Sequence, residues 1–241
     1  MLYLKQMSRE KIRRNYERKI VYSEDQWDLM ESKREQAKSL LKLFKMEGLY
    51  PYVYGSIARG DVHRTSDIDI VFLNKISPFQ VEIILKKNNY LRYAREIIMA
   101  TPADSLKLYI HLSELESITV PLTRLTRKEA EFYDFGGKVN RKDLKKNKRV
   151  PGIDKRLVLI KPTEYGHNEK SILNREHIAA KEVGVSVDIV KERVKVLLRR
   201  EKHGRTGVFI KETIPPQIST EETIQKLKKS NSIIRKKLRT Y

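Results

Sequence analysis

Two short motifs separated by ten residues restrict what this chain of 241 residues can fold into. The first is Gly55-Ser56, and the second is Asp67-Ile68-Asp69. Residues two apart in a strand point to the same face, so Asp67 and Asp69 would project together while Ile68 faces a core. Paired carboxylates repel each other unless a cation lies between them, and oxygen ligands suit Mg²⁺ or Mn²⁺. The pattern predicts a strand that presents a divalent-cation site.

The first motif has the composition of a phosphate-binding turn. Gly55 permits close approach of the backbone to a phosphate, and Ser56 can donate its hydroxyl and its amide. A helix that follows would direct its N-terminus at the same phosphate. Arg59 is a further candidate contact. The alternative is an Asp-x-Asp motif that only forms salt bridges or caps turns, but this leaves Gly55-Ser56 unexplained.

The two motifs together resemble the polymerase-β nucleotidyltransferase superfamily over roughly residues 24–122. The resemblance implies an α/β (α+β) nucleotidyltransferase-like domain with a mixed sheet. It also implies metal-dependent transfer of a nucleotidyl group from a nucleoside triphosphate to an acceptor. In that mechanism Asp67 and Asp69 are catalytic and hold two Mg²⁺ (or Mn²⁺) ions, while Gly55, Ser56 and Arg59 bind the nucleotide.

One expected residue of that superfamily is missing. Active members add a third carboxylate from a later strand, and the best candidate strand here is 106–112. Its outward side chains are not acidic: Lys107, Tyr109 and His111. The nearest acids, Glu96 and Asp104, lie at strand edges, and His111 could accept a proton near neutral pH.

Hydrophobic periodicity predicts the elements around these motifs. A capping-box pattern at Ser23 begins a long helix that runs to Met46. Other predicted helices span 8–20, 78–87 and 220–238. Predicted strands span 50–54, 68–73, 96–100, 106–112 and 156–161.

Residues 176–198 resemble a helix-turn-helix. Ala180, Gly184 and Val190 are its small residue, turn glycine and core aliphatic residue. The second helix, over 186–200, and a wing tip at 203–207 would then contact a nucleic acid. The candidate contacts are all basic: Lys191, Arg193, Lys195, Arg199, Arg200 and Arg205. The alternative is a helix pair used for packing or protein contacts.

Four segments follow along the chain. Residues 1–23 form a basic N-terminal extension, and 24–135 form the nucleotidyltransferase-like domain. Residues 136–152 are predicted to be a flexible basic linker, because 138–150 hold seven basic residues and one acid. Residues 153–241 form a mostly α, winged-helix or helix-turn-helix-like domain that ends in a basic helix.

The charge of the chain points to a polyanionic partner. Lys and Arg number 51 against 31 Asp and Glu, a formal net charge of +20. Such a potential attracts RNA, DNA or, less often, an anionic membrane, and here RNA is favoured over DNA. Cysteine is absent, which excludes disulfides, Cys-ligated zinc and a thiol nucleophile. The sequence has no apolar run of membrane-spanning length and no secretory segment, so we expect a cytoplasmic protein without membrane contacts.

Two hypotheses remain open at this stage. The chain looks like predicted archaeal nucleotidyltransferases with an appended helix-turn-helix domain, which implies an enzyme acting on a nucleic-acid or protein acceptor. The missing third acid instead favours a catalytically impaired protein that binds RNA, for example on a ribosomal particle, or DNA. The nucleotide, the acceptor and the oligomeric state stay undetermined.

Overall fold

A computed structural model describes residues 11–91 and 93–239, and its core element is a seven-stranded mixed sheet. Neighbouring strands in this sheet are antiparallel except for one parallel pair, β3 and β6. Its strands, in spatial order, are β11 (Ile210–Ile214), β4 (Ala94–Met99), β5 (Lys107–His111), β6 (Glu116–Pro121), β3 (Ile68–Val71), β2 (Tyr52–Tyr54) and β7 (Lys138–Asn140).

A second, four-stranded sheet is antiparallel throughout. In spatial order it contains β1 (Glu17–Val21), β10 (Gly166–Ser171), β9 (Val158–Thr163) and β8 (Gly152–Ile153). The helices are α1 (Glu24–Met46), α2 (Ser56–Arg59), α3 (Pro78–Lys87), α4 (Arg127–Phe135), α5 (Arg141–Lys145), α6 (Glu176–Val183), α7 (Val187–His203), α8 (Thr220–Ser230) and α9 (Ser232–Arg239).

Helix α1 forms the main core with the back of the large sheet. Its Leu40, Leu41 and Phe44 are buried, and the Phe44 ring meets the edge of Phe72 at 5.2 Å. Every second residue of β3, such as Ile70, points into the same core. The residues between them point to the opposite face of β3, which is left for polar side chains. A separate core under the small sheet contains residues of α6 and α7.

Several predicted elements are confirmed with small shifts at their ends. The long helix begins at Glu24 and ends at Met46, and the predicted helix 78–87 is α3. The capping box at Ser23 does not form, because the Ser23 side chain makes no capping bond. The Gln26 amide instead donates to the Val62 carbonyl at 2.6 Å, which ties α1 to the turn after α2.

Other predicted elements are wrong. Residues 17–20, the end of the predicted helix 8–20, instead belong to strand β1 because they pair with β10; residues 1–10 lie outside the described residues. The predicted helix 220–238 is interrupted at Asn231, whose extended backbone separates α8 from α9. Within the expected flexible linker, 138–140 are strand β7, paired with β2, and 141–145 are helix α5.

The domain division remains a prediction. Strand β11 and helices α8 and α9 come from the segment assigned to the C-terminal domain, yet β11 pairs with β4 and Leu227 and Ile234 pack into the main core. The helix pair α6–α7 does form, with Gly184 in a left-handed turn at φ +71°. No helix among the described residues is long and apolar enough to cross a membrane.

Candidate active site

One row of side chains crosses the polar face of the large sheet. Tyr54 on β2 pairs with Asp69 on β3, Asp69 pairs with Ser117 on β6, and Ser117 pairs with His111 on β5. Directly paired residues on neighbouring strands share a face and approach closely. The row therefore places these four side chains together, with Asp67 one residue before β3 begins.

Asp69 is a half-buried carboxylate whose pKa is raised above its usual value. Burial raises its pKa, and the neighbouring Asp67 raises it further. Three groups oppose this effect: the Ser117 hydroxyl, which donates to Asp69 Oδ1 at 2.6 Å, and the nearby Lys155 and His111 side chains. A carboxylate with a raised pKa beside a second carboxylate forms a site that an added cation stabilises.

Strand β6 is the neighbour of β3 from which a third carboxylate would face Asp69. The predicted strand for that carboxylate was 106–112, but β6 lies between this strand and β3. The residue facing Asp69 is therefore Ser117, which supplies a hydroxyl where a carboxylate was expected. Residues 116–121 were missed because they follow β5 after a tight turn without a glycine or proline signal.

Tyrosine rings form the wall beside Asp69. Tyr54 meets Tyr133 of α4 edge to face at 4.9 Å, and burial is the main cause that raises the pKa of Tyr54 well above its usual value. Burial also raises the pKa of Tyr109 to about 12. These hydroxyls stay protonated near neutral pH, so they can donate hydrogen bonds but cannot act as bases.

The Gly55-Ser56 turn lies at the end of β2, next to Tyr54. Gly55 has φ +82° and space around its Cα, as a close approach to a ligand requires. Its own amide donates to the Gly137 carbonyl at 2.9 Å. The amide of Ser56, the first residue of α2, has no partner within the helix.

Arg59 is not placed as the sequence analysis expected. Its side chain is buried and forms two 2.9 Å bonds with the Asp61 carboxylate. The remaining terminal nitrogen donates to the Gly136 carbonyl at 2.7 Å. These contacts fix the turn after α2 to the chain before β7, and they leave the guanidinium facing protein rather than a nucleotide.

The donor set fits one divalent cation and not the expected two. Mg²⁺ is commonly held by one or two carboxylates together with substrate phosphates and water, and Asp67 with Asp69 can provide this. Within residues 11–91 and 93–239, no group of three or more His, Cys, Asp or Glu is arranged to hold a metal. A second protein-held metal would need the carboxylate that Ser117 replaces.

Two further side chains, His111 and Lys155, face the site. His111 Nε2 lies 3.1 Å from Glu96 Oε1, so Glu96 orients the ring and is not itself aimed at Asp69. Lys155, in the turn between β8 and β9, was not predicted, because only the fold brings the small sheet to this position. The ends of both sheets therefore contribute charge to the site.

Most of the basic residues predicted on α7 form an exposed stripe. Lys191, Lys195 and Arg199 recur every four residues, so they lie on one side of the helix. Arg200 and Arg205 are also exposed, at the end of α7 and in the following loop. This arrangement provides a continuous cationic surface of the kind that contacts phosphates.

Arg193 does not belong to that stripe. Its guanidinium lies over the Phe132 ring of α4 at 5.0 Å, and burial lowers the pKa of Arg193 to about 10. Its Nε atom is buried without a hydrogen-bond partner. The expected nucleic-acid contact is replaced by packing, because residue 193 faces α4 while residues 191 and 195 face outward.

One of three comparisons with known proteins identifies a family for this chain. No curated protein and no solved structure matches the chain. A sequence model of one family, described as nucleotidyltransferase domain, matches residues 33–239, which include both halves of the site and most of the C-terminal segment. This match supports a nucleotidyl-transfer function in general terms. The chain therefore belongs to the family of nucleotidyltransferase domains.

Proposed function

We propose that the protein transfers a nucleotidyl group from a nucleoside triphosphate to the end of a nucleic acid, with RNA favoured over DNA. The observation that carries the proposal is the placement of Asp69 and Asp67 beside the Gly55-Ser56 turn, which the pairing of β2 with β3 brings about. A net charge of +20 supports a nucleic-acid acceptor over a protein acceptor.

Each residue has a separate role in this proposal. Asp67 and Asp69 hold the cation that accompanies the triphosphate, and Ser56 contacts a phosphate through its hydroxyl and amide. When bound, Mg²⁺ supplies charge neutralisation of the phosphates and of the leaving pyrophosphate. Ser117 keeps Asp69 oriented by its 2.6 Å bond. His111, oriented by Glu96, is the group best placed to accept the acceptor proton, since no third carboxylate joins Asp67 and Asp69 in a metal-holding group within the described residues.

The test is incubation with each of the four α-labelled nucleoside triphosphates, Mg²⁺ or Mn²⁺, and a pool of RNA and single-stranded DNA. We expect label on the nucleic acid with at least one nucleotide, and loss of more than 100-fold of that rate in Asp69→Asn. An Asp28→Asn variant, which makes the same change at an exposed position of α1, is the matched control for handling and folding. A folded wild-type protein that labels nothing contradicts the proposal.

A second function is favoured by one specific observation. The groups facing Asp69 are a hydroxyl, a histidine and a lysine, namely Ser117, His111 and Lys155, rather than an acid. On this basis the protein would bind nucleic acid without turnover. The double variant Asp67→Asn with Asp69→Asn should then bind RNA as tightly as wild type or more tightly. Transfer activity that depends on Asp69 would exclude this candidate.

A further inference from the structure

Strand β2, next to the edge strand β7 of the large sheet, carries a row of tyrosines with the residues just before it. Tyr50, Tyr52 and Tyr54 alternate along the chain that leads to Gly55, and Val53 between the last two is fully buried. Tyr52 and Tyr54 therefore share the polar face with Asp69. Tyr50 has 70% of its surface exposed, which is unusual for so large a ring.

Strand β7 and helix α5 flank this row and hold a cluster of lysines. Because β7 runs antiparallel to β2, it leads into α5 at the end where the chain enters β2 from Tyr50. Lys138 Nζ lies 5.6 Å from the centre of the Tyr52 ring. Beyond it, Lys142, Lys145 and Lys146 are exposed on α5 and the residue after it, and none of the three forms an ion pair within the described part of the chain.

The helix that carries the lysines is anchored to the rest of the protein. Asn140 and Asp143 cap the start of α5 reciprocally: the Asp143 amide donates to Asn140 Oδ1 at 3.0 Å, and the Asn140 amide donates to Asp143 Oδ2 at 3.3 Å. Leu144 is fully buried in the main core and anchors the helix. The backbone that carries the lysines is thus fixed relative to β2, which lowers the backbone entropy lost when they bind a partner.

We propose that Tyr50, Tyr52 and the α5 lysines form a track for single-stranded nucleic acid that leads to Asp69. Lys142, Lys145 and Lys146 contact the phosphates, and the exposed Tyr50 ring stacks on a base. The track rests on the proposed function in that it delivers the acceptor end to the site. From residue 50 to residue 54 an extended chain covers about 13 Å, so the track and the site lie within a short distance of each other.

The chemistry favours a single strand over a duplex or an acidic protein. Base faces are exposed only in unpaired nucleic acid, and an exposed tyrosine beside fixed cations is the arrangement that binds such strands. A duplex would use the lysines but not the ring. An acidic protein would likewise gain little from Tyr50, because carboxylates have no face on which the ring can stack.

The test is fluorescence anisotropy of a labelled 20-nucleotide RNA, as a single strand and as a duplex, in EDTA without nucleotide. We expect the triple variant Lys142→Glu, Lys145→Glu and Lys146→Glu to weaken single-strand binding by at least 30-fold, and Tyr50→Ala to weaken it about five- to tenfold. Two controls are matched: Tyr50→Phe, which keeps the ring, and Lys19→Glu with Lys86→Glu and Lys229→Glu, which makes the same charge change elsewhere.

The outcomes separate this inference from the proposed function. Because binding is measured without metal or nucleotide, a protein that never transfers a nucleotide still supports the track if the α5 and Tyr50 variants lose affinity selectively. Equal losses in the α5 triple variant and its charge-matched control overturn the track, as does a Tyr50→Ala variant that binds like wild type. A Tyr50→Ala variant that loses as much affinity for the duplex as for the single strand overturns it as well.

Discussion

Ser117 occupies the position from which a third carboxylate would face Asp69. It faces Asp69 across two parallel strands, and its hydroxyl is bonded to that carboxylate. A carboxylate at this position would complete a set of three acids. It would also repel Asp69 in the absence of a cation, because like charges at this distance destabilise one another.

The first prediction is that Ser117→Asp increases the affinity for Mn²⁺ at least tenfold, about 1.4 kcal/mol. The free protein should become less stable by about 1–3 kcal/mol, and Mn²⁺ should restore that loss. Isothermal titration and thermal unfolding with and without Mn²⁺ measure both effects. The control Ser117→Asn introduces a side chain of nearly the same shape as Asp but without the charge. It should change neither the Mn²⁺ affinity nor the stability. A Ser117→Asp protein that binds Mn²⁺ like wild type would show that residue 117 does not face the cation.

At the residue scale, the sequence predicts which side chains on one strand lie together. It predicts less well which group a charged side chain contacts. Asp67 and Asp69 could be found because strand alternation and a local turn place them. The positions of Arg59 and Arg193 were predicted wrongly for a common reason. The sequence around a basic residue does not show whether its side chain will contact a buried acid or an aromatic ring of the same protein. Asp61 and Phe132 do so here. Lys155 could not be found, since it comes from the other sheet.

Helix α4 is the element that closes the site, and an acid in its first turn holds it in place. Glu129 Oε1 lies 2.8 Å from Lys107 Nζ on β5 and accepts from the Ser105 hydroxyl at 2.6 Å. Burial alone would raise the pKa of Glu129, but Lys107, Ser105 and Thr126 hold it at about 2. The ionised form therefore stabilises the attachment of α4, and with it the placement of Tyr133.

The second prediction is a pH dependence that belongs to this contact. The pKa of Glu129 in the folded state is lower than in the unfolded state, so its stabilising effect is complete above about pH 5 and is lost as pH falls towards 2. Glu129→Gln should lower the free energy of unfolding by about 2 kcal/mol at pH 6. The difference from wild type should disappear near pH 2. Urea titrations at several pH values measure it, and a difference that does not change with pH would contradict the assignment.

The short strand β8 makes a close backbone approach that the sequence did not indicate. A Cβ at Gly152 would lie 2.5 Å from the Gly136 carbonyl oxygen and 2.7 Å from the Gly137 amide nitrogen. Both atoms are backbone, so neither can move aside without shifting the turn that also binds Gly55 and Arg59. Gly152 therefore connects the small sheet to the candidate site.

The third prediction follows from that approach. Gly152→Ala should destabilise the fold by about 3 kcal/mol and lower the melting temperature by roughly 6–12 °C. Gly207→Ala is the control, because nothing lies within 4 Å of that position, and it should change stability by less than about 0.5 kcal/mol. Equal melting temperatures for the two variants would contradict the close packing of β8.

At the element scale, patterns with a strong period were predicted and short or edge elements were not. The apolar stripe of α1 and the alternation of β5 identify both elements. Strand β1 was read as a helix because five residues rich in charge carry no usable period, and only pairing with β10 makes them a strand. Strand β7 was hidden by the basic composition that suggested a linker.

At the scale of the whole molecule, exposed basic residues occur on several separate surfaces, among them α5, α7 and the C-terminal helices α8 and α9. Helix α5 lies at the β7 edge of the large sheet, and the exposed stripe of α7 lies on the helix pair that packs against α4. Net charge predicted a polyanionic partner, but the sequence could not locate these faces. Their position depends on how β7, α4 and α7 pack around the sheet.

The central claim is that Asp67, Asp69 and the Gly55-Ser56 turn bind a nucleoside triphosphate together with one Mg²⁺. The direct test is isothermal titration of each of the four nucleoside triphosphates into the protein, with Mg²⁺ and with EDTA, in wild type and in Asp69→Asn. The account predicts that at least one nucleotide binds with Mg²⁺, and that EDTA or Asp69→Asn weakens it at least tenfold, about 1.4 kcal/mol. Absence of binding for all four nucleotides, or binding that neither EDTA nor Asp69→Asn alters, would contradict it.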